Sequence, residues 1–302
     1  MIGHRLMGTS LVLMGDIAAA QMHFDRAIAL YDPLEHRPLA TRFGQDIRVA
    51  SLSWLCLALW SLGYPDAALA VSKRALSDAR EIGQAASLMY ALTVTPFTIV
   101  HCGSYATAKM QFDEVVALAS EKGAVFWRAL AEMSQGWLSA LNGKAEDAVH
   151  TINSGIAAYR STGATACAPL YLLQLAKAYA ELGQFDDAWR CIGEAMTAME
   201  TTQERWWEAE ANRIAGEIAL MSPEPDAAKA GAYFERALAV ARQQRAKSWE
   251  LRAAMSIARL WRDQGKRDEA RNLLTPVYNW FTEGFDTLDL KEAKALLDTL
   301  AS

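Results

Sequence analysis

Gly63, Gly103, Gly143 and Gly183 stand forty residues apart, and no other feature of this 302-residue chain limits its fold so strongly. Gly265 follows eighty-two residues later, which leaves room for one more unit with a two-residue insertion. That insertion falls in "MSPEPDAAKA" (221–230), where Pro223 and Pro225 replace the glycine, and Gly15 marks an earlier unit. Five residues after these glycines comes alanine, at Ala20, Ala68, Ala108, Ala148, Ala188 and Ala270. Seven further on comes a small or β-branched residue, at Ala27, Ala75, Val115, Gly155, Ala195 and Val277. A second series, Gly83, Gly123 and Gly163, lies twenty residues after the first.

Helix termination accounts for both series. A residue just past a helix end often adopts positive φ, which glycine does without steric cost. Between the corners, apolar residues recur at helical spacing, as in "LYLLQLAKAYAEL" (170–182). Each unit therefore reads as two antiparallel helices joined by a short turn. One such pair cannot bury its own apolar faces, so the pairs must stack. The predicted pairs are 4–32, 46–81, 85–121, 125–161, 166–200, 206–243 and 247–282, with a final helix over 289–300. The chain is expected to be all-α, a single repeat domain over 1–302 with about seven hairpins of forty-residue period. A longer inter-repeat link is expected over 33–45 and a C-terminal cap over 286–302. Pro96 and Pro276 fall inside helices and should kink them, while Pro65 and Pro169 sit in first turns, where proline is tolerated. The charged corner segments "KAEDA", "QFDDA" and "KRDEA" read as solvated helix starts.

The first unit, with Gly8, Gly15, Ala20, Phe24, Ala27 and then Pro33, resembles the tetratricopeptide signature. The usual period of that repeat is 34; here the extra residues lengthen the first helix of each pair. The resemblance implies a right-handed superhelical solenoid whose concave side is lined by the first helices. Mapped from the corner glycines, its groove positions are Ser53, Leu57, Trp60, Tyr90, Phe97, Met133 and Trp137 early in the chain, and Lys177, Glu210, Arg213, Glu217, Arg252, Arg259 and Arg262 late. The expected groove is aromatic at one end and charged, with a basic excess, at the other. Such a surface suits a peptide with an apolar segment and an acidic end. Trp60 and Trp137 could equally be core. A separate series, Trp127, Trp207 and Trp249, recurs near first-helix starts with Cys167 in the intervening slot, and reads as inter-repeat packing.

Three stretches resemble the C-terminal helical-repeat region of large bacterial regulators: "YDPLEHRPLATRFGQDIRVASLSWLCLALWSLGYPDAAL" (31–69), "ERWWEAEANRIAGEIAL" (204–220) and "LWRDQGKRDEARNLLTPVYNWFTEGFDTLDLKEAKALLDTL" (260–300). In those proteins a class III adenylate/guanylate cyclase-like domain and an AAA-like or STAND-type ATPase module precede the repeats. The resemblance implies a regulatory, partner-binding region whose partners include the regulator's own cyclase or ATPase domains. With no polar capping helix before the first pair, the chain reads as the tail of a longer ancestral protein.

Catalytic and metal-binding signatures are missing from the sequence. There is no G-x-x-x-x-G-K-[ST] and no H-E-x-x-H, and "NGK" (142–144) and "QGK" (264–266) are better read as helix corners. His4, His23, His36, His101 and His150 form no ligand pattern. Cys56, Cys102, Cys167 and Cys191 are far apart in apolar helical contexts, which argues for a reducing cytoplasm rather than a disulfide framework. The N-terminus imitates a signal peptide, but Asp16 interrupts it and the repeat absorbs it. No run of eighteen apolar residues exists, and a net charge of −5 offers nothing global to a nucleic acid or an anionic membrane. Nine Lys/Arg against four Asp/Glu between Arg242 and Arg271 read as a solvated helix surface rather than a nucleic-acid site. No enzyme activity and no cofactor are expected. The leading expectation is a protein-interaction module, and the alternative is a small-molecule effector sensor.

Overall fold

The computed structural model describes residues 1–301 and is built of helices, with no strand among those residues. The hairpins are α1 (Ile2–Met14) with α2 (Ile17–Ala29), α5 (Ile47–Leu62) with α6 (Pro65–Ile82), α7 (Ala85–His101) with α8 (Tyr105–Lys122), and α9 (Val125–Leu141) with α10 (Ala145–Ser161). They continue with α11 (Ala168–Glu181) and α12 (Phe185–Thr202), α13 (Glu208–Met221) and α14 (Ala227–Gln243), and α15 (Lys247–Asp263) and α16 (Arg267–Tyr278). The 33–45 link holds short helical turns, α3 (Pro33–His36), a 3₁₀ turn (Arg37–Leu39) and α4 (Ala40–Phe43). The predicted cap contains α17 (Leu288–Ala301), and its last residue, Ser302, lies outside the described residues. Pro96 and Pro276 both lie inside unbroken helices, and Pro65 and Pro169 occupy first turns.

The period is visible in the backbone. Both glycine series have positive φ, from 64° at Gly123 to 95° at Gly63. The second series does not stop where its glycines do. Gln203 and Arg245 hold the same left-handed conformation, at φ 59° and 54°, in the two units that follow Gly163. The alanines five residues past the corners are buried without exception. Their small size lets the helices of a pair approach closely. In three pairs a glycine on the first helix faces a bulky side chain of the second: Gly8 under Phe24, Gly136 under Ile152 and Gly216 under Phe234. Asp16, Asp46 and Asp226 cap their helices by accepting backbone N–H bonds.

Stacking follows a solenoid rule: α5, α7, α9, α11, α13, α15 and α17 pack in succession, forming the inner layer of a tetratricopeptide-like right-handed superhelix. The superhelix also returns on itself, with α15 packing against α5. Ser248 Oγ donates to the Trp60 carbonyl at 2.5 Å, and Gln244 Nε2 donates to the Arg205 carbonyl at 2.8 Å. The Arg205 backbone N–H in turn reaches the Leu13 carbonyl at 2.6 Å. At the α5–α6 corner, Asp66 accepts from the Gly284 N–H at 2.9 Å, and Glu283 accepts from the Ala67 N–H at 3.0 Å. One apolar cluster consequently runs from Val12 to Trp249.

Closure makes the corner glycines unequal. A Cβ at Gly63 would meet Trp280 at 2.5 Å and the Lys247 Cβ at 2.9 Å, whereas at Gly143 nothing lies within 4 Å. Gly143→Ala should cost only the left-handed backbone, about 1–2 kcal/mol. Gly63→Ala should lose about 1–3 kcal/mol more through overpacking. Urea midpoints of the two variants check this; equal losses would mean that the α5–α6 corner is open.

Candidate functional site

Successive hairpins send aromatic rings from the inner layer toward the superhelix axis. Trp60 of α5 stacks on His101 of α7, with centroids 4.1 Å apart and planes 12° from parallel. Trp249 of α15 meets Trp60 edge-on at 4.7 Å. Trp207, just before α13, lies 5.1 Å from Trp249, 5.5 Å from His101 and 6.2 Å from Trp137 of α9. Phe97 stacks on Trp137 at 5.7 Å. These rings are buried, and they plug the axis at this level.

A charged layer lies beside the plug. Arg213 holds Glu210 in a two-pronged pair, Nε to Oε2 at 2.6 Å and Nη2 to Oε1 at 2.8 Å, and also bonds Glu217. Arg252 reaches Glu210 at 3.5 Å and Asp289 of α17 at 2.8 Å, with its guanidinium over the Trp60 and Trp249 rings. Burial pushes the Glu210 carboxyl up, but Arg213 and Arg252 outweigh it and hold the group at about 2. Asp289 goes the other way: burial raises it and Arg252 only partly opposes. Burial, and secondarily the nearby Arg252, push His101 well below its ordinary value. A cavity of about 60 Å³ is lined by His101, Trp207, Lys177, Arg213 and Arg252 among others. His101 Nε2 and Trp207 Nε1 are buried there without a hydrogen-bond partner among the described residues.

On the other side of the plug is an apolar cavity of about 150 Å³, lined by Trp54, Tyr90, Phe97, Trp127, Tyr159, Cys167 and Trp206 among others. Tyr90 Oη accepts from Trp54 Nε1 at 2.6 Å and from Arg5 Nη2 at 2.9 Å. The loop before α11 forms one lip. There Cys167 has φ 63°, and its N–H is held by the Glu204 carboxylate at 3.0 Å.

The aromatic half of the expected groove is not an open surface. Trp60, Tyr90, Phe97, Met133 and Trp137 are all buried. Trp60 is covered by Trp249 and Trp137 by Trp207, the rings that the sequence pattern assigned to packing between repeats, and Phe97 stacks on Trp137. Closure is the cause, because it brings α15 against α5. Tyr90 lines the apolar cavity, and Met133 sits beneath Gly155 of α10. In the charged half, Glu210, Arg213 and Arg252 form the buried network. Lys177 is half-buried at the small cavity, and Arg259 and Arg262 pair with Glu292 and Asp263 near the surface. The pattern missed His101, the hub of the plug, and the cavity residues Trp54, Phe126 and Trp206. A histidine ending the long apolar run of α7 was the available signal for the first.

No family model matches the chain. An uncharacterized protein of Rhizobium meliloti (strain 1021) is 24% identical over 187 residues, which are 62% of this chain and 18% of that protein. The chain thus spans less than a fifth of the length of that curated relative. Among solved structures, the Rap conjugation gene regulator of the plasmid pLS20, in complex with the Phr* peptide, has a TM-score of 0.66 at 11% identity, covering 97% of this chain and 72% of that one. The apo form of RapI gives 0.57 at 10% identity, over 99% and 98% of the two chains. A tetratricopeptide repeat protein from Parabacteroides merdae ATCC 43184 gives 0.52 at 13% identity, over 99% and 98%. At such identities these likenesses show a shared fold. Among the described residues no cluster of three His, Cys, Asp or Glu is placed to hold a metal ion, and no helix is long and apolar enough to cross a membrane.

Proposed function

We propose that this chain is a non-catalytic regulatory repeat module of the cytoplasm that binds a protein or peptide partner at the charged end of its inner wall. The observation that carries the reading is the half-exposed strip of Lys177, Glu217, Arg259 and Arg262. Arg259 and Arg262 are paired only with the chain's own outer carboxylates, Glu292 and Asp263. Exposed pairs of this kind contribute about 0–1 kcal/mol, so an acidic segment of a partner displaces them at small cost. Arg252 is excluded from this role, because Glu210 and Asp289 already hold it inside the fold. The pLS20 Rap regulator, solved with a peptide, gives the fold a precedent for peptide partners.

A finer reading takes the chain as the C-terminal repeat region of a larger signalling regulator, with its cyclase-like or ATPase domains as the partner. The three stretches quoted above support it, as does the much greater length of the rhizobial relative.

The test is capture of a partner by the full chain, with the contact mapped by cross-linking mass spectrometry. The charge reversal K177E/R259E/R262E should weaken capture at least about tenfold while leaving the fold intact, and cross-links should fall on α11, α15 and α17. Unchanged capture, or cross-links confined to the outer helices, would remove the site from this wall.

A further inference from the structure

The Trp127–Cys167–Trp207–Trp249 series contains a gap, and the gap is a cavity. Trp127, Trp207 and Trp249 carry indoles in this series, and Cys167 stands in the slot forty residues after Trp127. Beside Cys167 lies the void of about 150 Å³, walled by the indoles of Trp54, Trp127 and Trp206, the rings of Tyr90, Phe97 and Phe126, and by Leu57, Val94 and Leu130. Apolar cavities of about this size stay dry and take benzene-sized guests. Left empty, such a void costs stability in proportion to its volume.

The polar groups at its wall are few and define a chemistry. Tyr90 Oη already accepts two hydrogen bonds, from Trp54 and Arg5. Its own proton makes no hydrogen bond among the described residues, so it remains available to one acceptor. No carboxylate, ammonium or guanidinium lines the cavity. The rim is built rather than frayed. Glu204, which is buried, holds the Cys167 N–H, and Tyr159 Oη donates to the carbonyl of Ala166, an exposed residue at the mouth.

We propose that this cavity is a binding site for a small, neutral aromatic molecule of one ring to indole size, carrying at most one hydrogen-bond acceptor. The molecule takes the place of the ring that Cys167 leaves out. The site is separate from the charged strip, and the proposal stands or falls independently of the partner reading. Because α5, α7, α9, α11 and the 203–207 segment all converge on the cavity, a bound molecule ties successive hairpins together.

Toluene, indole and acetophenone are the probes, with benzoate and benzylamine as charged counterparts. The expected result is a saturable rise of several degrees in melting temperature and a saturable heat of binding in titration calorimetry for the three neutral probes. Neither charged compound should produce them. Val94→Phe fills the cavity and should abolish both signals. Tyr90→Phe should weaken acetophenone several-fold against toluene. Should Val94→Phe fail to fold, bromobenzene soaked into wild-type crystals decides the matter: bromine density among Trp54, Tyr90 and Trp206 supports the site. Absence of saturable binding by every neutral probe would overturn the proposal. So would binding that persists in a folded Val94→Phe variant, or bromine bound only elsewhere.

Discussion

Trp207→Ala should lower the unfolding free energy by about 3–5 kcal/mol, the usual loss for a large buried ring cut back to a methyl group. Only 1% of Trp207 is exposed. Its indole touches rings contributed by three other hairpins, at His101, Trp137 and Trp249. Removing it therefore opens the plug from several sides at once. Trp189→Ala is the comparison, since that ring is half-buried on the outer helix α12 against Lys229. It should cost less than half as much. Urea denaturation checks both values, and it also reads cooperativity. An open solenoid unfolds in segments set by nearest-neighbour contacts. The plug joins α5 to α15, so the wild type should show one transition and Trp207→Ala should split or broaden it. Equal losses in the two variants would mean that the plug carries no special weight.

Arg252→Ala should be comparably damaging, at about 3–5 kcal/mol near pH 7, because it leaves Asp289 buried without a cation and Glu210 with Arg213 alone. The loss should depend on pH. Glu210 is held at about 2 against an ordinary 4.5, despite burial that pushes it up. A depressed carboxylate contributes stability that is fully present above its unfolded value. For Glu210 that contribution fades as pH falls from about 4.5 toward about 2. In Arg252→Ala the orphaned Asp289 can take up a proton, which relieves its burial, while Glu210 keeps Arg213. The gap between wild type and variant should thus be widest at pH 7 and narrow below about 4.5. Urea midpoints at pH 7 and pH 3.5 test the sign. A gap independent of pH would show that Arg252 acts through packing on Trp60 and Trp249 alone.

Much of the fold was legible because helix ends and close helix contacts are local matters. A corner glycine and the alanine five residues later report a turn and a tight crossing within one hairpin. Hence the helix limits fall within a few residues of expectation, and the loop between α13 and α14 lies within 221–230. Even where the second glycine series lapses, Gln203 and Arg245 keep the conformation that the period demands. Closure was not legible. It depends on how far each hairpin rotates against the next, a small angle summed over many units, and no residue pattern states that angle. The site inherits this limit. Trp60 and Trp137 lie on the inner wall as the spacing requires, but whether they face solvent depends on Trp207 and Trp249 arriving from the far side. Arg252 likewise reads as a free groove cation until α17 brings Asp289 beside it. Cys167 was visible as a break in the tryptophan series, but its meaning as a void needed the surrounding walls.

The claim beneath all of this is that the superhelix meets itself, so that the α5–α6 corner rests on the segment after α16. Tyr64 and Trp280 face each other across that seam, their ring centroids 5.8 Å apart, and both are exposed enough to carry a probe. Spin labels at Tyr64→Cys and Trp280→Cys, with Cys167 replaced by serine, allow the distance to be read by pulsed electron resonance in solution. Closure predicts a single narrow distribution at the short end of the measurable range. A long or broad distribution in the folded chain would contradict it, and would leave the inner wall open.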